Sequence, residues 1–259
     1  MTRSRFALPI VSAALAAAAM LAPTSAHAQQ PPAPAAAGAA AGGTDHAQVS
    51  GSFGVGYLGL GGLAVGANNG TTLSIPTVGV RYWLSDSMGI DAGLGFGMTS
   101  GESKSKAVGG GTTTETTTED PSTLGVGLHA GVPLVMASGQ HHTFQVVPEL
   151  NLAFGSRSGK TGGQNGQPTT TTDDGGFHLD LGARAGTEIH FGFIGLPKLS
   201  LQATIGLRVN YDSVSTKVKT DGAAATENEN SRSTLSLSTN VQNAPWAIFT
   251  NTISALYYF

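Results

Sequence analysis

The chain has 259 residues, 13 Lys and Arg against 16 Asp and Glu, a formal net charge of −3 and no cysteine. These values exclude disulfides, thiol chemistry, thiolate metal sites and a lipid-modified N-terminal cysteine, and they leave no basic footprint for nucleic acid. Charged residues are only 11% while apolar ones are 40% and regularly patterned, which points to folded β structure rather than disorder.

In chain order, residues 1–28 read as a targeting segment. Arg3 and Arg5 precede an apolar stretch, Phe6 to Leu21, and Ala26-His27-Ala28 is a small-x-small cleavage site. The mature chain is expected to begin at Gln29. Residues 29–46, QQPPAPAAAGAAAGGTDH, carry no periodic apolar face and read as a disordered Pro/Ala/Gly linker.

From residue 47 to 259 the reading is a β domain. No apolar run approaches the roughly 18 residues of a membrane helix, yet alternation persists. The first strand, about 49–59, sets Phe53, Val55 and Tyr57 against Ser50, Ser52, Gly54 and Gly56. The second sets Val78, Val80, Tyr82 and Leu84 against Gly79, Arg81 and Trp83. In the third, Met88, Ile90, Ala92, Leu94, Phe96 and Met98 oppose four glycines and Asp91. Leu124 to Leu134 alternate with Gly125, Gly127, His129 and Gly131. Phe144, Val146, Leu150, Leu152 and Phe154 oppose Gln145, Glu149 and Asn151. In the sixth, Phe177 to Phe191 alternate with His178, Asp180, Gly182, Arg184, Gly186, Glu188 and His190. In the seventh, Leu199 to Tyr211 alternate with Ser200, Gln202, Thr204, Gly206, Arg208 and Asn210. An eighth strand ends the chain. Pro133 and Pro148 fall inside the fourth and fifth strands, where a bulge is the expected accommodation.

The connections alternate in length. Short turns follow strands two, four and six; long polar segments of about 60–71, 100–122, 157–175 and 213–244 follow the others. That is the layout of an eight-stranded antiparallel up-and-down transmembrane β-barrel with short periplasmic turns and long extracellular loops. A ten-stranded version, with the last loop split into two more strands, is the alternative. The Thr-rich segments read as polar surface. Val214, Val218, Leu235 and Leu237 suggest that strands seven and eight continue beyond the membrane as a hairpin whose edge is open to a foreign strand.

Two stretches carry a family resemblance. One is PTVGVRYWLSDSMGIDAGLGFGM at 76–98. The other is the ending, where Phe249, Ile253, Ala255, Tyr257 and Phe259 share a face, broken by Asn251 there and by Leu256 on the other face. Residues 47–259 resemble the small bacterial outer-membrane barrels of the OmpA/OmpX type. The resemblance implies outer-membrane localisation and lipid surroundings. It also implies that the terminal segment is read by the barrel-assembly machinery, with periplasmic chaperones during biogenesis.

Arg81, Asp91, His129, Glu149, His178, Asp180, Arg184, Glu188, His190 and Arg208 fall on the inward face. Mixed signs favour an internal network that fills the lumen over an ion-selective pore. The reading is a structural or surface-interaction barrel without cofactor, metal site or catalysis. The competing readings are a narrow passive pore and a lipid-modifying enzyme. Asp173, Asp174 and His178 are the nearest approach to a catalytic group, and His141-His142 reads as a polar turn.

Overall fold

The computed structural model describes residues 43–68, 70–109, 112–162, 168–222, 225–239 and 253–259. The expected targeting segment and most of the expected linker, together with Phe249 and Asn251, lie outside them. The described residues are all-β except for a one-turn helix, α1 (Asp45–Val49), capped by the Thr44 side chain, and a 3-10 turn at Gly192–Ile194.

The strands are β1 (Phe53–Val65), β2 (Thr71–Ser85), β3 (Met88–Gly109), β4 (Thr112–Gly131), β5 (Leu134–Ser138), β6 (His142–Gly162), β7 (Thr169–Phe191), β8 (Leu196–Thr220), β9 (Thr226–Thr239) and β10 (Ile253–Tyr258). Every pairing is antiparallel. The order β10-β1-β2-β3-β4-β6-β7-β8 returns to its start because β10 also pairs β8. Eight strands therefore form a closed hydrogen-bonded ring. β9 and β10 pair with successive stretches of β8, Leu207–Thr220 and Leu199–Ala203; residues 240–252 between them lie outside the described residues. β10 has partners on both sides, since Gly54 to Tyr57 of β1 pair with Tyr258 to Ala255.

Three features differ from the expectation. First, the long polar segments are mostly strand. β3 and β4 pair without interruption from Gly101↔Asp120 to Gly109↔Thr112, β6 and β7 to Gly162↔Thr169, and β8 and β9 to Thr220↔Thr226. Their Thr content explains this, because a β-branched side chain favours the pleated backbone. From Thr99 to Gly109 the β3–β4 hairpin rises roughly 35 Å, at about 3.3 Å per residue.

Second, Pro148 causes no bulge in β6, whose pairing with β7 is continuous from His142 to Gly162. The break falls on the neighbour instead. The fourth strand is split at Val132-Pro133 into β4 and β5, and Val132 N–H donates to the Pro148 carbonyl. The missing donor of Pro148 thus sits opposite a gap in the ladder, where no partner needs it.

Third, Val49 belongs to α1 and is buried, and the first strand begins at Phe53. α1 lies at the short-turn end. Asp45 accepts from the Gly192 N–H and contacts His141 at 2.7 Å, and the His46 ring bonds the Asp86 carbonyl.

The outward face keeps the expected alternation. Val78, Val80, Ile90, Leu94, Phe96, Met98, Leu124, Val126, Phe144, Phe154, Leu181, Leu201, Ile205 and Leu207 are all exposed. On the last strand, Tyr257 and Phe259 are exposed and Ile253 and Ala255 half-buried, while Leu256 and Tyr258 turn inward. The result is a continuous apolar belt. Its span on β3, Met88 to Met98, matches the about 9–11 residues with which a tilted strand crosses a bilayer.

Candidate functional site: the interior of the ring

All ten inward residues picked out from the alternation point into the ring. Nine of them join one polar assembly, in tiers. At the short-turn end Arg81 is fully buried. Its guanidinium grips Asp91 with two bonds of 2.6 and 2.7 Å, Glu188 at 2.8 Å and Gln202 at 3.1 Å. Glu188 accepts from Gln145, Ser200 and the Tyr258 hydroxyl, and that hydroxyl accepts from Trp83 Nε1 at 3.1 Å. A buried carboxylate surrounded by donors in this way keeps its charge without water.

The middle tier is built on Glu149. Arg184 approaches it at 3.1 Å and reaches Asp91 at 3.2 Å, linking the tiers. Arg208 donates to Glu149 through Nε and Nη2 at 2.9 and 2.7 Å and passes 3.6 Å from Asp180. Asn151 donates to Asp180, so its oxygen accepts from His129 Nδ1 at 2.6 Å and sets that ring's tautomer. His178 lies 2.7 Å from Asp212 and 3.9 Å from Asp180. His190 stands apart. It is fully buried, neither ring nitrogen has a partner among the described residues, and it packs 5.8 Å from His46 and 6.1 Å from Tyr258.

The Asp173, Asp174 and His178 group does not assemble. Asp173 accepts from Ser158, and Asp174 accepts from Thr216 with Arg157 3.7 Å away. Asp174 and His178 are about 13 Å apart along the strand. His141 contacts Asp45, in a polar turn at the ring's end.

The other half of the interior is apolar, and the alternation did not locate it. β1 carries a bulge between Tyr57 and Gly59, and Gly59 adopts a φ of 141°, which favours glycine. The bulge reverses the facing of β1. Leu63 and Val65 turn inward and meet Leu73 and Ile75 of β2, while Leu58 keeps the inward parity of Gly54 and Gly56 and packs with Val49, Trp83, Leu256 and Tyr258. The tip of this hairpin folds into the ring. Gly66 N–H donates to the Gly175 carbonyl, Ala67 N–H to Thr216, and Asn230 to Asn68.

The inner glycines are the seat of this tip. A Cβ built on Gly95 would lie 2.5 Å from Ile75. On Gly125 it would lie 2.6 Å from Leu73, on Gly155 2.6 Å from Leu63, and on Gly176 2.2 Å from the Ala64 carbonyl. Their lack of side chains is what lets the hairpin fit. Sequence signals for it existed in Asn69-Gly70, a hairpin turn pair, flanked by Leu63/Val65 and Leu73/Ile75. The alternation sets Ser200, Gln202 and Tyr258 on the inward face without naming them as network members, and it does not single out Asp212.

Tyr258→Phe removes one donor to Glu188 and leaves Trp83 Nε1 buried without an acceptor. We expect a loss of about 1–3 kcal/mol, read as a lower urea midpoint of unfolding. An unchanged midpoint would show that the Trp83–Tyr258–Glu188 chain is not structural.

No family model matches the chain, and no curated protein matches it. Among solved structures, the crystal structure of a major outer membrane protein from Thermus thermophilus aligns with 80% of this chain and 98% of that one, at 15% identity and a TM-score of 0.35. A superposition that loose carries no argument about this chain.

Proposed function

We propose that the chain is an integral outer-membrane β-barrel of the small eight-stranded class, closed to ions, that serves as a structural or surface-interaction protein. The observation that carries this reading is the inversion of polarity across the ring. Large apolar side chains cover the outside, and an Arg81–Asp91–Glu188 cluster with no exposure lies inside. A water-soluble ring would expose the charges and bury the belt, because a continuous apolar surface of this extent is unfavourable in water. In a bilayer the belt faces lipid, and closure of the ring satisfies the backbone donors and acceptors. α1 then lies on the periplasmic side and the tall hairpins outside the cell. The buried ion pairs hold the wall and perform no chemistry.

The lumen is obstructed twice, by the polar tiers and by the β1–β2 tip, which favours a closed barrel over a passive pore. The test is membrane fractionation followed by denaturing electrophoresis, boiled and unboiled. We expect the protein in the outer-membrane fraction, with a heat-dependent change in migration and no reproducible single-channel openings after purification. Recovery from the soluble periplasm without a heat shift would overturn the membrane reading. Stable openings would overturn the closed lumen in favour of the pore.

A further inference from the structure

α1 is a single turn of five residues. A helix that short does not persist in water, because its nucleation is unfavourable and too few hydrogen bonds follow. It is held by docking into the short-turn end of the ring. Asp45 donates its N–H to the Gln140 carbonyl at 2.9 Å and accepts from the Gly192 N–H at 3.0 Å. A side chain on Gly192 would strike the Asp45 carboxylate, so glycine there makes room for it. Gly51 N–H donates to the Trp83 carbonyl, and Val49 packs with Leu58, Trp83, Leu256 and Tyr258. α1 therefore has two states, docked and helical or released and unfolded.

His46 sits at the centre of this contact and is buried. Its ring stands edge-on to Trp83, with centroids 4.5 Å apart, and 5.8 Å from the His190 ring. Nε2 bonds the Asp86 carbonyl at 2.9 Å, which fixes the proton of the neutral ring on Nε2. Nδ1 is buried with no partner among the described residues. A second proton would make Nδ1 a buried donor without an acceptor and place a charge in a dry site beside His190.

The surrounding groups give that charge little support. Glu188 on β7 is already gripped by Arg81 and accepts from Gln145, Ser200 and Tyr258. Asp45 is engaged by His141, and Asp86 presents its carbonyl. His142 on β6 and Lys198 on β8, the other ionisable groups of the strands packed on α1, are exposed and supply no negative charge. His141 acts in the opposite sense, since its charged form holds Asp45 more firmly. Its side chain is 33% exposed, however, so solvent screens that gain. Burial accordingly holds the His46 ring below the ordinary histidine value, against the pull of the Asp86 carbonyl and Glu188. Released α1 then binds a proton more readily than docked α1. Docking has its full strength above about pH 6.5 and weakens as the pH falls below it.

We propose that α1 is an acid-released stopper. While His46 is neutral, α1 closes the short-turn end of the ring; when His46 takes a second proton, α1 leaves and unfolds. The ring itself stays closed. Arg81 and its partners lie behind the stopper and keep the lumen shut, so release uncovers Trp83 and the Tyr258 hydroxyl without opening a passage. The stopper works alike whether the belt faces lipid or water, and so stands apart from the membrane reading.

The test uses the full mature protein in lipid nanodiscs, carrying one cysteine at buried Val49 or, as a reference, at exposed Ala47. Maleimide labelling is followed at about pH 7.5 and about pH 5, on either side of the histidine range. Dividing by the reference rate cancels the pH dependence of the reagent. We expect Val49→Cys to react roughly tenfold or more slower than Ala47→Cys at the higher pH, and at a similar rate at the lower. His46→Phe keeps a ring against Trp83 without a charge, and His46→Gln keeps a donor for the Asp86 carbonyl; either should leave Val49→Cys protected at both pH values. Protection that persists in the otherwise wild-type chain at the lower pH would overturn the proposal. So would equal release in both His46 variants, or labelling of Val49→Cys already at the higher pH. The heat-dependent gel shift is checked for each protein at both pH values, and its loss in acid would overturn the proposal by showing that the whole ring yields. If His46→Phe lacks the shift at the higher pH, His46→Gln carries the comparison.

Discussion

Replacing Arg81 by alanine is expected to lower the unfolding free energy by about 3–5 kcal/mol, the usual cost of removing one partner from a buried ion cluster. The reasoning is local. Arg81 has no exposed surface, and it is the only one of the three network arginines that contacts both Asp91 and Glu188. Without it Asp91 keeps a single contact to Arg184, and Glu188 keeps only neutral donors from Gln145, Ser200 and Tyr258. Two carboxylates are then left in a dry interior with insufficient positive charge. Arg81→Lys should fall between wild type and alanine, because an ammonium cannot reproduce the two-bond grip on Asp91. The urea midpoint of refolded protein in vesicles measures this. An alanine variant that unfolds with the wild type would refute the structural role of the network.

The second large effect concerns the hairpin tip. Leu63→Asp places a carboxylate among Val65, Leu73, Ile75 and Ala153, none of which can pair with it. The tip should leave the ring, while the pairings of β3, β4, β6 and β7 remain. Proteinase K should then cut near residues 66–70, a segment whose backbone in the wild type is tied to Gly175 and Thr216. The bilayer should nevertheless stay silent, because the polar tier at the short-turn end is untouched. Conductance is expected only when Leu63→Asp is combined with Arg81→Ala. A conducting Leu63→Asp single variant would show that the polar tier is no barrier. A protected tip would show that the apolar cluster does not hold it.

The part of the fold that was legible is the part where period two decides everything. Between Met88 and Met98, or between Phe177 and Phe191, each residue's facing follows from its parity. The polar members of the inward set therefore landed inside together. Parity fails where the backbone inserts a residue. The bulge at Gly59 reverses β1, so Leu63 and Val65 could not be assigned by counting from Phe53. The Thr-rich segments look like loops by polarity alone, although their β-propensity favours strand. There both faces of the hairpin are polar, so alternation is silent and branching at Cβ is the remaining signal. Pro148 misled for another reason. Its effect depends on what lies across the ladder, and the break at Pro133 is visible only in register. The individual partners within the network also require register, which local sequence does not encode for strands far apart in the chain.

The central claim is that the exposed apolar face of the ring meets lipid while its polar face is shut away. The chain has no cysteine, so single cysteines at Leu94, Phe154 and Ile205 on the belt and at Thr99 just beyond it can each carry a polarity-sensitive fluorophore after reconstitution. The account predicts blue-shifted emission at Leu94, Phe154 and Ile205, quenched by lipid-borne quenchers and not by aqueous iodide, with a step toward iodide sensitivity at Thr99. Iodide quenching at all four positions would contradict it and leave a water-soluble ring with an apolar surface still to be accounted for.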